Sequence, residues 1–147
     1  MHLQLAWIGK TKEPAIQSLT AEYMQRISRY VQTASHELAA EPALLKLANR
    51  ASGRTAPVFV LLDARGRQFT SEEFAGLLRD QQDRGTQELL FGVGPTNGFS
   101  DEARAAADLI LSFGKMTMAH ELARVVLLEQ IYRAFTILKG HPYHTGH

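Results

Sequence analysis

A chain of 147 residues with 45% apolar and 21% charged side chains has the size and composition of one folded domain that buries its own core. It contains no cysteine, which excludes disulfides, thiolate metal sites and a cysteine nucleophile together and suits a reducing compartment. A formal net charge of +1 excludes a uniformly basic nucleic-acid binder, so any RNA-binding surface must be gathered on one face or assembled by two copies.

In chain order the pattern alternates strand and helix. The start, Met1 to Lys10, carries no basic segment ahead of an apolar run, and no stretch approaches the ~20 apolar residues that span a bilayer, so a cytoplasmic protein is expected. Leu3 to Ile8 reads as a short strand. After Pro14, the spacing of Ile16, Leu19, Tyr23, Ile27 and Tyr30 predicts an amphipathic helix. Residues 31–39 suit a second strand, 42–51 a short helix, and Ser52-Gly53-Arg54-Thr55 a loop. Val58 to Leu62 is a continuous β-branched and apolar run ending at Asp63, as expected of a strand covered on both faces in a parallel sheet.

The next helix is signposted by a capping box, Thr70 with Glu73, by Phe69 and Phe74 as a hydrophobic staple, and by Gly85 at its end. Leu89 to Val93 is a fourth strand. Ser100 caps a helix with Asp101 and Glu102 in its first turn. Leu109 to Phe113 is a fifth strand, and Ala119 to about Leu138 the longest helix. That helix is apolar on more than one face, through Leu122, Val125, Val126, Leu127, Leu128, Ile131, Phe135, Ile137 and Leu138. One stripe suffices for packing on a sheet, so a second suggests a partner subunit.

Ligands of open parallel sheets bind beyond the carboxyl ends of the strands. Three segments leave such ends: Asp63 to Gly66, Gly92 to Gly98, and Gly114 to Met118. The middle one spaces its glycines G-x-G-x-x-x-G after the fourth strand, which does not fit the dinucleotide fingerprint. The alternative is a tight turn, which explains the glycines but not the third segment.

Three stretches resemble a known family. Leu61 to Ala75 is similar to its central strand, loop and helix. Ser112 to Val125 is similar to its cofactor loop and last helix. Leu127 to Phe135 with His141-Pro142-Tyr143-His144 is similar to its C-terminal signature. The family is ribosomal RNA large subunit methyltransferase H, and the similarity runs from Leu3-Gln4-Leu5 and Ile8-Gly9-Lys10 through nearly the whole chain. The resemblance implies a single α/β domain of the SPOUT class: a mostly parallel sheet of five to six strands flanked by helices, with a C-terminal trefoil knot. It implies a homodimer that transfers a methyl group from S-adenosylmethionine to N3 of a pseudouridine in 23S ribosomal RNA, on the assembled ribosome, with no metal and no membrane. By position it places the cofactor at Leu62, Gly92, Gly94, Phe113, Gly114, Lys115, Met116, Thr117 and Met118.

An imide N3–H must lose its proton during such a transfer, so a base or an anion-stabilising donor belongs near the acceptor. The tail offers His141, Tyr143 and His144, with His144 as general base or orienter and Tyr143 against the target base. His120 and Arg124 share a face at the start of the last helix. The blander readings are a solvated tail, a metal chelated by its histidines, and a locally bonded His120. Glu129 and Arg133 read as a structural i,i+4 pair. Met116 and Met118 read as a ligand wall, with core filling as the alternative. Arg26, Arg29, Arg65, Arg67, Lys115 and Lys139 are collectively the candidate phosphate contacts. The segment before Val58 is shorter and less basic than is usual in the family, and the tail ends Thr145-Gly146-His147 where a basic residue is usual. These departures motivate a second reading, a non-catalytic knotted ribosome-associated protein; a third is a dimeric small-ligand-binding module.

Overall fold

The computed structural model describes residues 1–49, 55–95 and 97–144, with the side chain of His144 excepted. Residues 52–54 of the loop expected at 52–55, residues 50 and 51 of the helix expected at 42–51, Thr96 of the glycine segment and the end at 145–147 lie outside the described residues.

Among the described residues, five strands and five helices alternate. They are β1 (His2–Ile8), α1 (Pro14–Ser28), β2 (Gln32–Leu38), α2 (Glu41–Ala48), β3 (Val58–Gln68), α3 (Ser71–Asp83), β4 (Glu88–Val93), α4 (Asp101–Ala106), β5 (Leu109–Ser112) and α5 (His120–Lys139), followed by a 3-10 turn at Pro142–His144. The strands form one sheet in the order β2-β1-β4-β3-β5, with every pairing parallel.

Alternation along the strands divides the core into two layers. Leu3, Leu5 and Trp7 of β1 join Leu89, Phe91 and Val93 of β4 beneath α1, α3 and α5. Ala6, Ile8, Phe59, Leu61 and Leu90 face α2 and α4 through Leu44 and Ala103. Helices on both faces explain why β3 reads as a continuous apolar run rather than an alternating one.

The local signals hold. Thr70 and Glu73 complete the capping box of α3, and Phe69 and Phe74 enter the same core layer. Gly85 takes φ +74 and, with Thr86, bonds back to Gln82 and Gln81, a Schellman closure. Ser100 accepts from the Ala103 amide.

One expectation is corrected. β3 does not end at Asp63 but runs to Gln68. Leu62 and Arg67 both register with Leu111 of β5, so residues 63–66 form a bulge between two pairings. Packing fixes its position, because a Cβ on Gly66 would lie 2.4 Å from the carbonyl oxygen of Ile110.

Candidate active site

Parallel strands send all their carboxyl ends to one edge, and there the three segments meet around one cleft of about 310 Å3. The bulge after Leu62 supplies Asp63, Ala64 and Arg65. The turn after β4 supplies Val93 to Pro95 and Asn97 to Phe99. The loop after β5 supplies Phe113, Gly114, Met116, Thr117 and Met118, and the first turn of α5 closes the wall with His120 and Ala123.

The walls are mainly apolar, as those of small-molecule sites commonly are. Gly94 lies against Phe99 so closely that a Cβ would stand 2.8 Å from the ring. Gly114 takes φ +131 with open space around it, a backbone that glycine adopts at little cost. Ser112 fastens this loop at its start, its hydroxyl accepting from the Gly114 amide at 3.0 Å and donating to the Ala64 carbonyl at 3.1 Å. Met116 is 89% exposed at the rim.

Two expected cofactor residues sit apart from this lining. Gly92 belongs to β4 inside the sheet, where a Cβ would meet Leu44 at 2.9 Å and Leu61 at 3.0 Å, so close packing on α2 accounts for it. Lys115 is exposed and does not line the cleft, unlike its neighbours Gly114 and Met116.

Arg104 and Asp63 were missed. Arg104 Nη1 lies 3.5 Å from the Asp63 carboxylate, and its guanidinium also bonds the Phe99 carbonyl and Asp101. It thereby ties the bulge to the β4 turn. The available signal was its position four residues after the cap Ser100, because helical side chains lean back toward the N-terminus.

The proposed catalytic residues do not form one cluster. His120 lines the cleft. Arg124 is fully buried, its guanidinium donating to Thr11 Oγ1 at 2.8 Å and to the carbonyls of Ile8 and Gly9 at 2.9 and 3.1 Å. Burial pushes its pKa below the ordinary arginine value, against the pull of Glu121 and Glu37. It is a tie between α5 and the end of β1, outside the cleft lining.

The tail packs on its own α1 and α5. Tyr143 donates to Glu129 Oε2 at 2.7 Å and meets Tyr132 edge-on with centroids 4.7 Å apart. Burial, and then the bond to Glu129, raise its pKa above the usual phenol value. Arg133 pairs with Glu129 at 2.9 Å, as the spacing predicts, and its charge stands over the Tyr143 ring at 5.1 Å. His141 bonds the Tyr30 hydroxyl. The His144 side chain lies outside the described residues.

The family described as "Predicted SPOUT methyltransferase" matches residues 1–144. A protein of Koribacter versatilis named ribosomal RNA large subunit methyltransferase H is 58% identical over 147 residues, covering 100% of both chains. A protein of Trichlorobacter lovleyi with the same name is 43% identical, covering 98% of this chain and 99% of its own. The crystal structure of a tRNA (m1G37) methyltransferase from Aquifex aeolicus shares the fold, with a TM-score of 0.58 at 11% identity over 89% of this chain and 69% of that one. By sequence over its whole length and by fold, the chain belongs to the SPOUT methyltransferases, within the ribosomal RNA large subunit methyltransferase H family.

Proposed function

We propose that this protein is a cytoplasmic, homodimeric methyltransferase that moves a methyl group from S-adenosylmethionine to N3 of a pseudouridine in 23S ribosomal RNA within the assembled ribosome. The observation that carries the reading is the convergence of Leu62, Gly94, Phe113, Gly114, Met116, Thr117 and Met118 on one cleft in a chain of this family.

When bound, the sulfonium cofactor supplies an activated methyl group. The residues of the chain supply alignment, which accounts for much of the rate in such transfers. Met116, Met118 and Phe113 form apolar walls, and the backbone of the 113–118 loop, held by Ser112, offers the hydrogen bonds that fix orientation. His120, which lines the cleft, is the residue to which we assign taking or steering the N3 proton.

The tail lies along its own α5, so its role is to complete the cleft of the second copy, with His144 as the proton acceptor or orienter and Tyr143 and His141 placing the base. Support for a second copy comes from exposed apolar side chains beside the cleft: Met116, Met118 at 38% and Leu122 at 47% exposure. The trefoil knot belongs to the same reading.

The deciding experiment is methyl transfer from labelled S-adenosylmethionine to ribosomes from a strain lacking its own enzyme, with nucleoside analysis of the product. The expected product is N3-methylpseudouridine in 23S RNA. Ribosome binding without transfer indicates the non-catalytic reading. A cofactor-dependent rise in melting temperature without ribosome binding indicates the small-ligand module.

A further inference from the structure

Arg124 is buried without a carboxylate at ion-pair distance among the described residues, and its Nε has no partner. Burying a guanidinium without a counter-charge is costly. Here it fastens one turn, the link between β1 and α1, through Ile8, Gly9 and Thr11. One turn earlier on α5, Glu121 accepts from the Lys12 and Glu13 amides at 3.0 and 3.1 Å. Glu37 accepts from the Thr11 amide, and Gln17 donates to the Thr11 carbonyl. The Gly9 amide donates to the Leu38 carbonyl. The backbone from 8 to 13 is thus held from α5, β2 and α1 together.

This turn exposes Lys10, Lys12 and Glu13, and neither lysine has an ion-pair partner among the described residues. Three arginines of the chain are neutralised locally: Arg26 by Glu22, Arg104 by Asp101 and Arg133 by Glu129. The turn leaves the carboxyl end of β1, the edge that also bears the cleft. It is attached to the first turn of α5, where His120 lines that cleft. Arg65 in the bulge of β3 and Lys115 in the loop after β5 likewise have no ion-pair partner among the described residues.

We propose that Lys10 and Lys12, held on a turn braced by Arg124 and Glu121, form a phosphate-binding rim that grips the RNA backbone beside the cleft. The proposal rests on the RNA methyltransferase reading and assigns to its substrate a docking surface that the tail and cofactor loop do not supply. A braced turn loses little further freedom on binding, which makes each phosphate contact more effective.

The test compares the wild-type chain with the double variant Lys10→Gln, Lys12→Gln in ribosome pelleting and in methyl transfer, across a salt series. Two lost contacts should raise KM for ribosomes about tenfold near 150 mM salt and flatten the log–log salt dependence by about 1.4–1.8. Affinity for S-adenosylmethionine should stay within about twofold. An unchanged KM and salt slope in the double variant overturns the proposal while the enzyme reading stands. Wild-type binding to ribosomes that the double variant loses, with no methyl transfer by either, supports the rim and removes the enzyme reading. No ribosome binding by the wild type removes both. A second variant, Arg124→Lys, keeps a cation but lacks the fork that reaches three acceptors. It should speed amide exchange at Thr11, Lys12 and Glu13 and raise KM for ribosomes. Faster exchange with KM unchanged overturns the role of bracing.

Discussion

The Tyr143 phenol donates to the Glu129 carboxylate, nine residues beyond His120 on the same helix, which is about 14 Å along the axis at ~1.5 Å per residue. Tyr143 is thereby held away from the His120 end of its own helix, and we assign the action of the tail to the cleft of a second copy. Mixing two defective subunits tests the assignment. One lacks residues 141–147, and the other carries Gly94→Trp in the cleft. Half the dimers in an equal mixture are hybrids with one complete site each, so about a quarter of wild-type activity should return. If the tail serves its own cleft, activity stays at the level of the separate variants.

Removing that bond separates anchoring from cofactor binding. Tyr143→Phe should cost about 1 kcal/mol in urea denaturation and lower methyl transfer, while S-adenosylmethionine affinity by calorimetry stays unchanged. Truncation after Gly140 should abolish transfer with the same cofactor affinity. Full activity in the truncated chain refutes a role for the tail.

Arg124→Met leaves the carbonyls of Ile8 and Gly9 and the Thr11 hydroxyl without their donor. Unmade hydrogen bonds in a buried site should reduce stability by about 2–4 kcal/mol, read from chemical denaturation. A cost below about 0.5 kcal/mol would refute the role of Arg124 as a tie.

Acidification should release the brace on the turn after β1. Hydrogen bonds from the Glu13 and Lys12 amides hold the Glu121 carboxyl below its ordinary value, burial opposing them only in part. A carboxylate with a depressed folded pKa stabilises the fold above its unfolded value and loses that contribution as pH falls through the folded one. The melting temperature of the wild type should therefore exceed that of Glu121→Gln at pH 7, and the difference should shrink as pH falls from the ordinary glutamate value through the lowered folded one. A gap that is constant over this range would show that the charge of Glu121 plays no part.

The glycines separate packing from binding. Gly66→Ala presses a methyl onto the Ile110 backbone and should cost about 1–3 kcal/mol. Gly94→Ala meets the Phe99 ring at the cleft wall and should weaken S-adenosylmethionine binding with a smaller effect on melting temperature. Equal effects of both variants on stability alone would place Gly94 in packing only.

Much of this architecture is legible from the sequence because it depends on neighbours in the chain. The capping box of Thr70 and Glu73, the left-handed Gly85, the Ser100 cap and the continuous run of β3 are set within a few residues by backbone sterics and hydrogen bonding. The convergence of the strand-end segments follows from parallel pairing, which the alternation of strand and helix already implies. The extension of β3 past Asp63 is not legible, since residues 63–66 look like a loop until β5 pairs on both sides of them. Nor is the role of Arg124: on a helical wheel it shares a face with His120, and only the approach of β1 to α5 turns it into a buried tie. Gly92 reads as a ligand glycine until Leu44 is seen packed against it. Tyr143 and Glu129 show no relation in the sequence, because the turn after Gly140 has to carry the tail back along α5. Local patterning thus sets the elements and the edge where chemistry occurs. Contacts between distant segments decide which side chains face that edge and which are consumed in holding it together.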